Sequence, residues 1–256
     1  MAFERLEGFV EIDLEFRAQS ALAIHAGKAA AFEAVESPVI LSAGEPIIPG
    51  SSLKGALRST LESLLAAAGF EVCVPDAAIP KQWGKKRIRR PEERREYARA
   101  IGRKPACSAD DPCPVCQIFG TAGGQQGLAG RAIFLDARAQ PGYQLIERNH
   151  VAIARDTRSQ AGGKLMSVQA VDAGAVFKGQ IRLVNPQDWM VGALLRALEG
   201  VEFLGLGAKK TAGYGQVEIR VSEIRTRKPV ADGWEERVVE AEPYRTAFTT
   251  MLEQKG

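Results

Sequence analysis

The chain has 256 residues, 45% of them hydrophobic and 25% charged, with a formal net charge of +3. This is ordinary for a soluble globular protein with a true core, long enough for one large domain or two small ones. The opening MAFERLEGFVEIDLEF has no unbroken apolar run and nothing approaches the roughly eighteen apolar residues of a membrane span, so a cytoplasmic protein without a signal peptide is expected.

Phe9 to Arg17 alternates strictly, with Val10, Ile12, Leu14 and Phe16 on one side and Glu11, Asp13, Glu15 and Arg17 on the other. Period two predicts a half-buried strand. Residues 18–49 are rich in Gly and Ala and read as irregular. A helix follows, with Leu53, Leu57, Leu61, Leu64, Leu65 and Ala68 at helical spacing, Ser51 or Ser52 as its cap and Gly69 as its stop. Residues 70–130 read as a basic, cysteine-bearing insertion. Within it, Lys81 to Lys104 holds eleven Lys and Arg against three Glu, a local balance of +8 that leaves the remainder near −5. A basic block on a mildly acidic body points to an anionic partner such as a phosphate backbone, and Trp83 and Tyr97 add stacking surfaces. A solvated charged loop is the plainer alternative.

Strands are predicted at Ala132 to Asp136 and Val176 to Val184, with a polar segment at 138–174 between them. A helix opens at Asn185-Pro186 with the stripe Val191, Leu194, Leu195 and Leu198, and a last strand runs from Gln216 to Val221. The order strand, helix, strand, strand, helix, strand is that of a ferredoxin-like (RRM-like) βαββαβ core, an α+β fold. The expected organisation is a single domain over 1–224 and a polar tail over 225–256 with one amphipathic piece from Tyr244 to Leu252.

Two stretches carry chemistry. IPGSSLKGALRS, from Ile48 to Ser59, delivers two hydroxyls and bare backbone to a helix tip, where free N–H groups and the dipole favour phosphate. Lys54 and Arg58 stand four apart on one side of that helix. A Walker A loop is excluded, because Lys54 precedes the second glycine and Ala56 follows it. GLGAKKTAGYG, from Gly205 to Gly215, bares backbone around Lys209, Lys210 and Tyr214 and suits a phosphate chain. It does not open a helix, so it is not a dinucleotide fingerprint. A serine-capped helix and a flexible turn are the structural alternatives.

The four cysteines are Cys73, Cys107, Cys113 and Cys116, the last three spaced C-x5-C-x2-C. Cys113-Pro-Val-Cys116 has the form of a knuckle that grips zinc with two thiolates, and four cysteines leave no open position, so a bound zinc is structural. Free thiols are the alternative; His25 or His150 would substitute if Cys73 is not a ligand.

Together, VESPVILSAGEPIIPGSSLKGALRSTLE (35–62), CPVCQIFG (113–120), VAIARDTRSQA (151–161) and GLGAKKTAGYGQV (205–217) resemble the RAMP superfamily. The nearest likeness is the repeated backbone subunit of type III CRISPR effector complexes. The resemblance implies an RNA-binding protein that stacks with further copies of itself and with other effector subunits along a CRISPR guide RNA and meets target RNA. It implies guide contacts from Ser51, Ser52, Lys54, Arg58, Gly207, Lys209, Lys210 and Tyr214. It adds His25 and a thumb β-hairpin over residues 147–171 bearing Arg155, with Ala154 where relatives carry an acid. It also implies cleavage of target RNA at regular intervals, with Glu36 where relatives carry a catalytic aspartate. There a carboxylate holds a divalent metal such as magnesium or takes a proton. Pure binding and binding with cleavage both remain open. So do two other classes, a stand-alone endoribonuclease that processes CRISPR repeat RNA and a zinc-stabilised RNA-binding module without catalysis.

Overall fold

The computed structural model describes residues 4–25, 37–75, 78–122, 127–153, 155–158 and 160–254, and Glu36 therefore lies outside the described residues. Its elements in chain order begin with strands β1 (Phe9–Ala18), β2 (Leu41–Ser42) and β3 (Glu45–Ile48) and helix α1 (Gly50–Ala67). The insertion contributes β4 (Gln82–Trp83), β5 (Lys86–Arg87), α2 (Pro91–Ala100) and α3 (Pro114–Phe119). Strands β6 (Ala132–Phe134), β7 (Ala137–Ala139), β8 (Leu145–Ile153), β9 (Gln160–Val171) and β10 (Val176–Val184) follow, then α4 (Asp188–Leu204), β11 (Val217–Val230), β12 (Gly233–Val238) and α5 (Glu242–Glu253). The result is a mixed α+β fold with a mainly antiparallel sheet and five α-helices among the described residues.

The main sheet runs β12-β11-β1-β10-β7-β3-β2, with β6 also paired to β10. Each of these pairings is antiparallel. Val10, Ile12, Leu14 and Phe16 of β1 are buried in one cluster with Leu53, Leu57, Leu61 and Leu65 of α1 and with the inner side of α4. The alternation seen in the sequence thus puts one sheet face under two helices. On the opposite face, Glu11 is buried among arginines: Arg182 at 3.0 Å, Arg227 at 3.2 Å and Arg225 at 3.8 Å. Asp13 pairs with the same Arg225 at 2.5 Å.

Three sequence expectations change. Neither serine caps α1: Pro49 occupies the N-cap, its carbonyl accepts from the N–H groups of Ser52 and Leu53, and the serines sit in the first turn. Leu64 and Ala68 lie on the solvent side of the predicted stripe. The stretch after residue 224, whose docking the sequence leaves open, continues the sheet and packs on the core. β11 runs through the expected boundary to Val230, and α5 buries Tyr244 and Phe248 against α4. A Cβ on Gly192 would sit 2.0 Å from the Tyr244 carbonyl oxygen, so that glycine admits the close helix crossing. Burial by the sheet, α1 and α5 together explains why α4 is apolar nearly all round.

Candidate nucleic-acid interface and cysteine centre

The tip of α1 is fixed by close backbone approach. A Cβ at Gly50 would lie 2.1 Å from the Phe134 carbonyl oxygen, so only glycine fits. The Gly50 N–H donates to Asp136 Oδ1 at 2.8 Å, which occupies one of the tip amides. Facing this tip is the segment after α4. Leu206 N–H donates to the Gly215 carbonyl at 2.8 Å and closes the glycine-rich turn. Gly207 has φ +86° and a Cβ there would meet the Ala23 carbonyl at 2.5 Å, so the left-handed backbone and the tight fit both require glycine. Ala208 and Gly215 N–H groups donate to the carbonyls of Ala23 and Ala21 at 2.8 and 2.9 Å. The turn is thereby pinned to residues 21–23, just before His25.

These three segments line one groove of about 440 Å³. Ser51, Ser52, Gly55 and Ser59 form one wall, Gly205, Gly207, Ala208 and Lys210 the other, and His25 closes one side. His25 Nε2 lies 3.2 Å from the Gln169 carbonyl oxygen, which links this wall to β9.

The remaining expected contacts lie elsewhere. Arg58 does not line the groove: its Nε donates to Glu62 Oε1 at 2.9 Å, Nη1 to the Gly120 carbonyl at 2.9 Å and Nη2 to Cys116 Sγ at 3.5 Å. Lys54, one turn earlier on that side, is half-buried, and burial followed by the neighbouring Arg58 charge lowers its pKa. Tyr214 is only 2% exposed and cannot offer a free stacking face. Its hydroxyl lies 3.0 Å from His150 Nε2 and its ring 5.6 Å below the Arg148 guanidinium, so it anchors the base of the β8–β9 arm. Lys209 holds a left-handed backbone beside it. Burial, then the Lys209 and Arg148 charges, pull the His150 pKa below its ordinary value. Arg155 is exposed at the tip of the two-stranded arm. Sequence reasoning missed Arg148 as a partner of this joint, although its place two residues before His150 on an alternating strand puts both on one face.

The cysteine quartet is assembled. Cys73, Cys107, Cys113 and Cys116 are all buried, unpaired by disulfides, and their sulfur atoms lie within 4.8 Å of one another. Cys73 and Cys116 Sγ are 3.3 Å apart, and Cys113 N–H donates to Cys107 Sγ at 3.3 Å. Hydrogen bonds from the Cys107, Cys116 and Cys73 thiols push Cys113 well below the ordinary thiol range. Four soft donors converging in a closed, buried shell can hold a metal ion, and the set fits tetrahedral zinc.

A family model for the RAMP superfamily matches residues 15–218, which take in part of the sheet, the groove and the cysteine centre. The chain belongs to the RAMP superfamily. No curated protein matches it. Membership implies a CRISPR-associated, RNA-binding function and partners of that kind. No helix among the described residues of this RAMP protein is long and apolar enough to cross a membrane.

The basic block of this RAMP protein is a small appendage rather than a groove. Lys85, Arg87, Arg89, Arg95 and Arg99 are exposed on the β4–β5 hairpin and α2, while Ile88 and Ala98 are buried. Trp83 and Tyr97 meet edge to face at 5.7 Å, which ties hairpin to helix and leaves Trp83 partly open. Its stem reaches the cysteine centre, since Val74 N–H donates to the Lys104 carbonyl at 2.9 Å.

Proposed function

We propose that this RAMP chain is a guide-RNA-binding backbone subunit of a type III CRISPR effector complex, holding sugar-phosphate in the groove between the α1 tip and the Gly205–Gly215 turn. The carrying observation is that residues near 25, 51 and 207, far apart in sequence, line one groove of hydroxyls, glycine backbone and a lysine. That donor set matches phosphate and sugar rather than base edges, as a subunit repeated along a guide of arbitrary sequence requires. The core is read as ferredoxin-like, supported by the order β11-β1-β10 and then β6 and β7. The β8–β9 arm, standing off the main sheet, is read as the thumb, and further copies of the chain as its neighbours.

The cysteine quartet is read as a structural zinc centre. Zinc bound there cross-links residues 73–116 and supplies folding free energy to the insertion that displays the basic block. Target cleavage is assigned to Glu36, whose carboxylate would take a proton or hold magnesium beside a strained phosphate. An extra methylene relative to aspartate moves the charge by on the order of 1 Å, enough to slow the step by about a hundredfold.

The test is guide-RNA binding by the full chain over a salt series. Lys210→Ala should weaken binding and reduce the slope of log K against log salt by about 0.7, the value for one single-strand phosphate contact. A Lys210→Ala, Ser51→Ala, Ser52→Ala variant with wild-type affinity and slope would remove the groove from RNA binding. Mass measurement of the guide-loaded particle separates a multi-copy backbone from a monomeric processing nuclease. Labelled complementary RNA with magnesium should give evenly spaced products that vanish in Glu36→Ala; unchanged products would dismiss Glu36.

A further inference from the structure

Arg58 belongs by sequence to the helix tip expected to bind phosphate, yet its side chain is only 17% exposed and its guanidinium bonds to Glu62, the Gly120 carbonyl and Cys116. Four thiolates around a divalent ion leave a net charge of about −2 in a buried shell, which is costly unless hydrogen bonds and a counter-charge offset it. The Cys113 N–H to Cys107 Sγ bond supplies one such donor. Among the described residues, Arg58 and Lys104 stand near the quartet. Lys104 shares backbone hydrogen bonds with the segment around Cys73, but its ammonium turns to Asp111 at 3.3 Å. Arg58 instead sends Nη2 to Cys116 Sγ at 3.5 Å, while Gly120 and Glu62 hold the other two corners of the fork at 2.9 Å. Glu62 cancels part of its charge but also fixes its plane.

We propose that Arg58 is an outer-sphere partner of the metal held by the four cysteines, a positioning residue that donates to the Cys116 sulfur and links occupancy of that centre to the setting of α1. The inference rests on the zinc reading. It follows from geometry: the helix that carries Ser51, Ser52 and Ser59 into the groove also carries Arg58, which bonds to the cysteine centre and does not line the groove. Outer-shell donors orient metal ligands, and their loss commonly lowers metal affinity ten- to a hundredfold. Arg58 thus serves RNA binding through the metal and makes no phosphate contact.

The experiment uses the full-length zinc-loaded chain, wild type and the near-isosteric neutral variant Arg58→Met, with zinc release to a coloured chelator as the readout. The same proteins loaded with cobalt(II) report the thiolate-to-metal charge-transfer band. Arg58→Met should lose zinc about ten- to a hundredfold more readily and shift the cobalt band. It should leave the salt slope of RNA binding unchanged, because no phosphate contact is removed. Arg58→Lys keeps charge without the planar fork and should fall between. It also carries the test if the methionine variant does not fold. Wild-type zinc release and an unshifted cobalt band in the substituted chain overturn the inference, and so does a salt slope lowered by about 0.7, which marks a lost phosphate contact. A wild-type chain that retains no zinc after dialysis overturns the zinc reading itself.

Discussion

Glu11 shows how a single side chain organises the open face of the sheet. Its side chain is 7% exposed, and three arginines from the two neighbouring strands converge on it. Removing one member of a buried ionic cluster leaves the others uncompensated. Glu11→Ala should therefore cost about 3 kcal/mol in urea unfolding, at the low end of the buried-pair range because Arg182 and Arg227 reach solvent. Glu11→Gln, which keeps volume and hydrogen bonding, should cost less. His150 makes a prediction of the opposite kind. Its folded pKa is depressed, so the fold favours the neutral ring. Its contribution is fully present above the ordinary value near 6.5 and is lost as pH falls through that value toward the folded one. Hydrogen-exchange protection factors, corrected for the intrinsic pH dependence of amide exchange, should fall on acidification at the base of the arm, around residues 146–150 and 166–170, and His150→Gln should flatten that dependence. Equal protection factors at pH 7.5 and 5.5 in the wild type would contradict the role given to the His150–Tyr214 joint.

Helix α5 is the element that the sequence left undecided and the structure puts to use. Phe248 is buried against α4, so Phe248→Ala should cost about 3 kcal/mol by chemical denaturation, the usual penalty for emptying an aromatic site. A loss below 1 kcal/mol would mean that α5 is not a fixed part of the core. The legibility of the other elements follows the same physics. β1, β10, α1 and α4 each bury an apolar face, and period two or 3.6 betrays them. The second half of β11, SEIRTRKPV, does not alternate in hydropathy, because its outward side chains answer Glu11 and Asp13 with charge. Strand pairing can be satisfied by ion pairs that a hydropathy pattern cannot register. In the candidate site, the glycines and serines were legible as a kind of surface. Arg58 and Tyr214 were not, because spacing gives the side of a helix or turn but not which neighbour waits there.

At the scale of the whole molecule, the ion-paired sheet face and the cysteine centre lie apart from the groove. The open sheet face is largely self-neutralised, with Glu11, Asp13 and Glu223 matched by Arg182, Arg225 and Arg227. RNA is therefore expected to track the groove and the basic appendage rather than lie across the strands. If the quartet holds zinc as proposed, stripping it should release the appendage first. Chelation should open residues 73–120 to limited proteolysis while far-UV circular dichroism from the sheet persists; simultaneous loss of both would make the cysteine centre part of the main folding unit. The groove walls have one more consequence, concerning when in its life the chain becomes competent. A nascent polypeptide folded through β9 already carries His25 and the hydroxyl-bearing tip but has only part of the groove's wall. The clasp is complete only once residues 205–210 have been made and docked, so a chain stopped short of them lacks one side of the proposed grip.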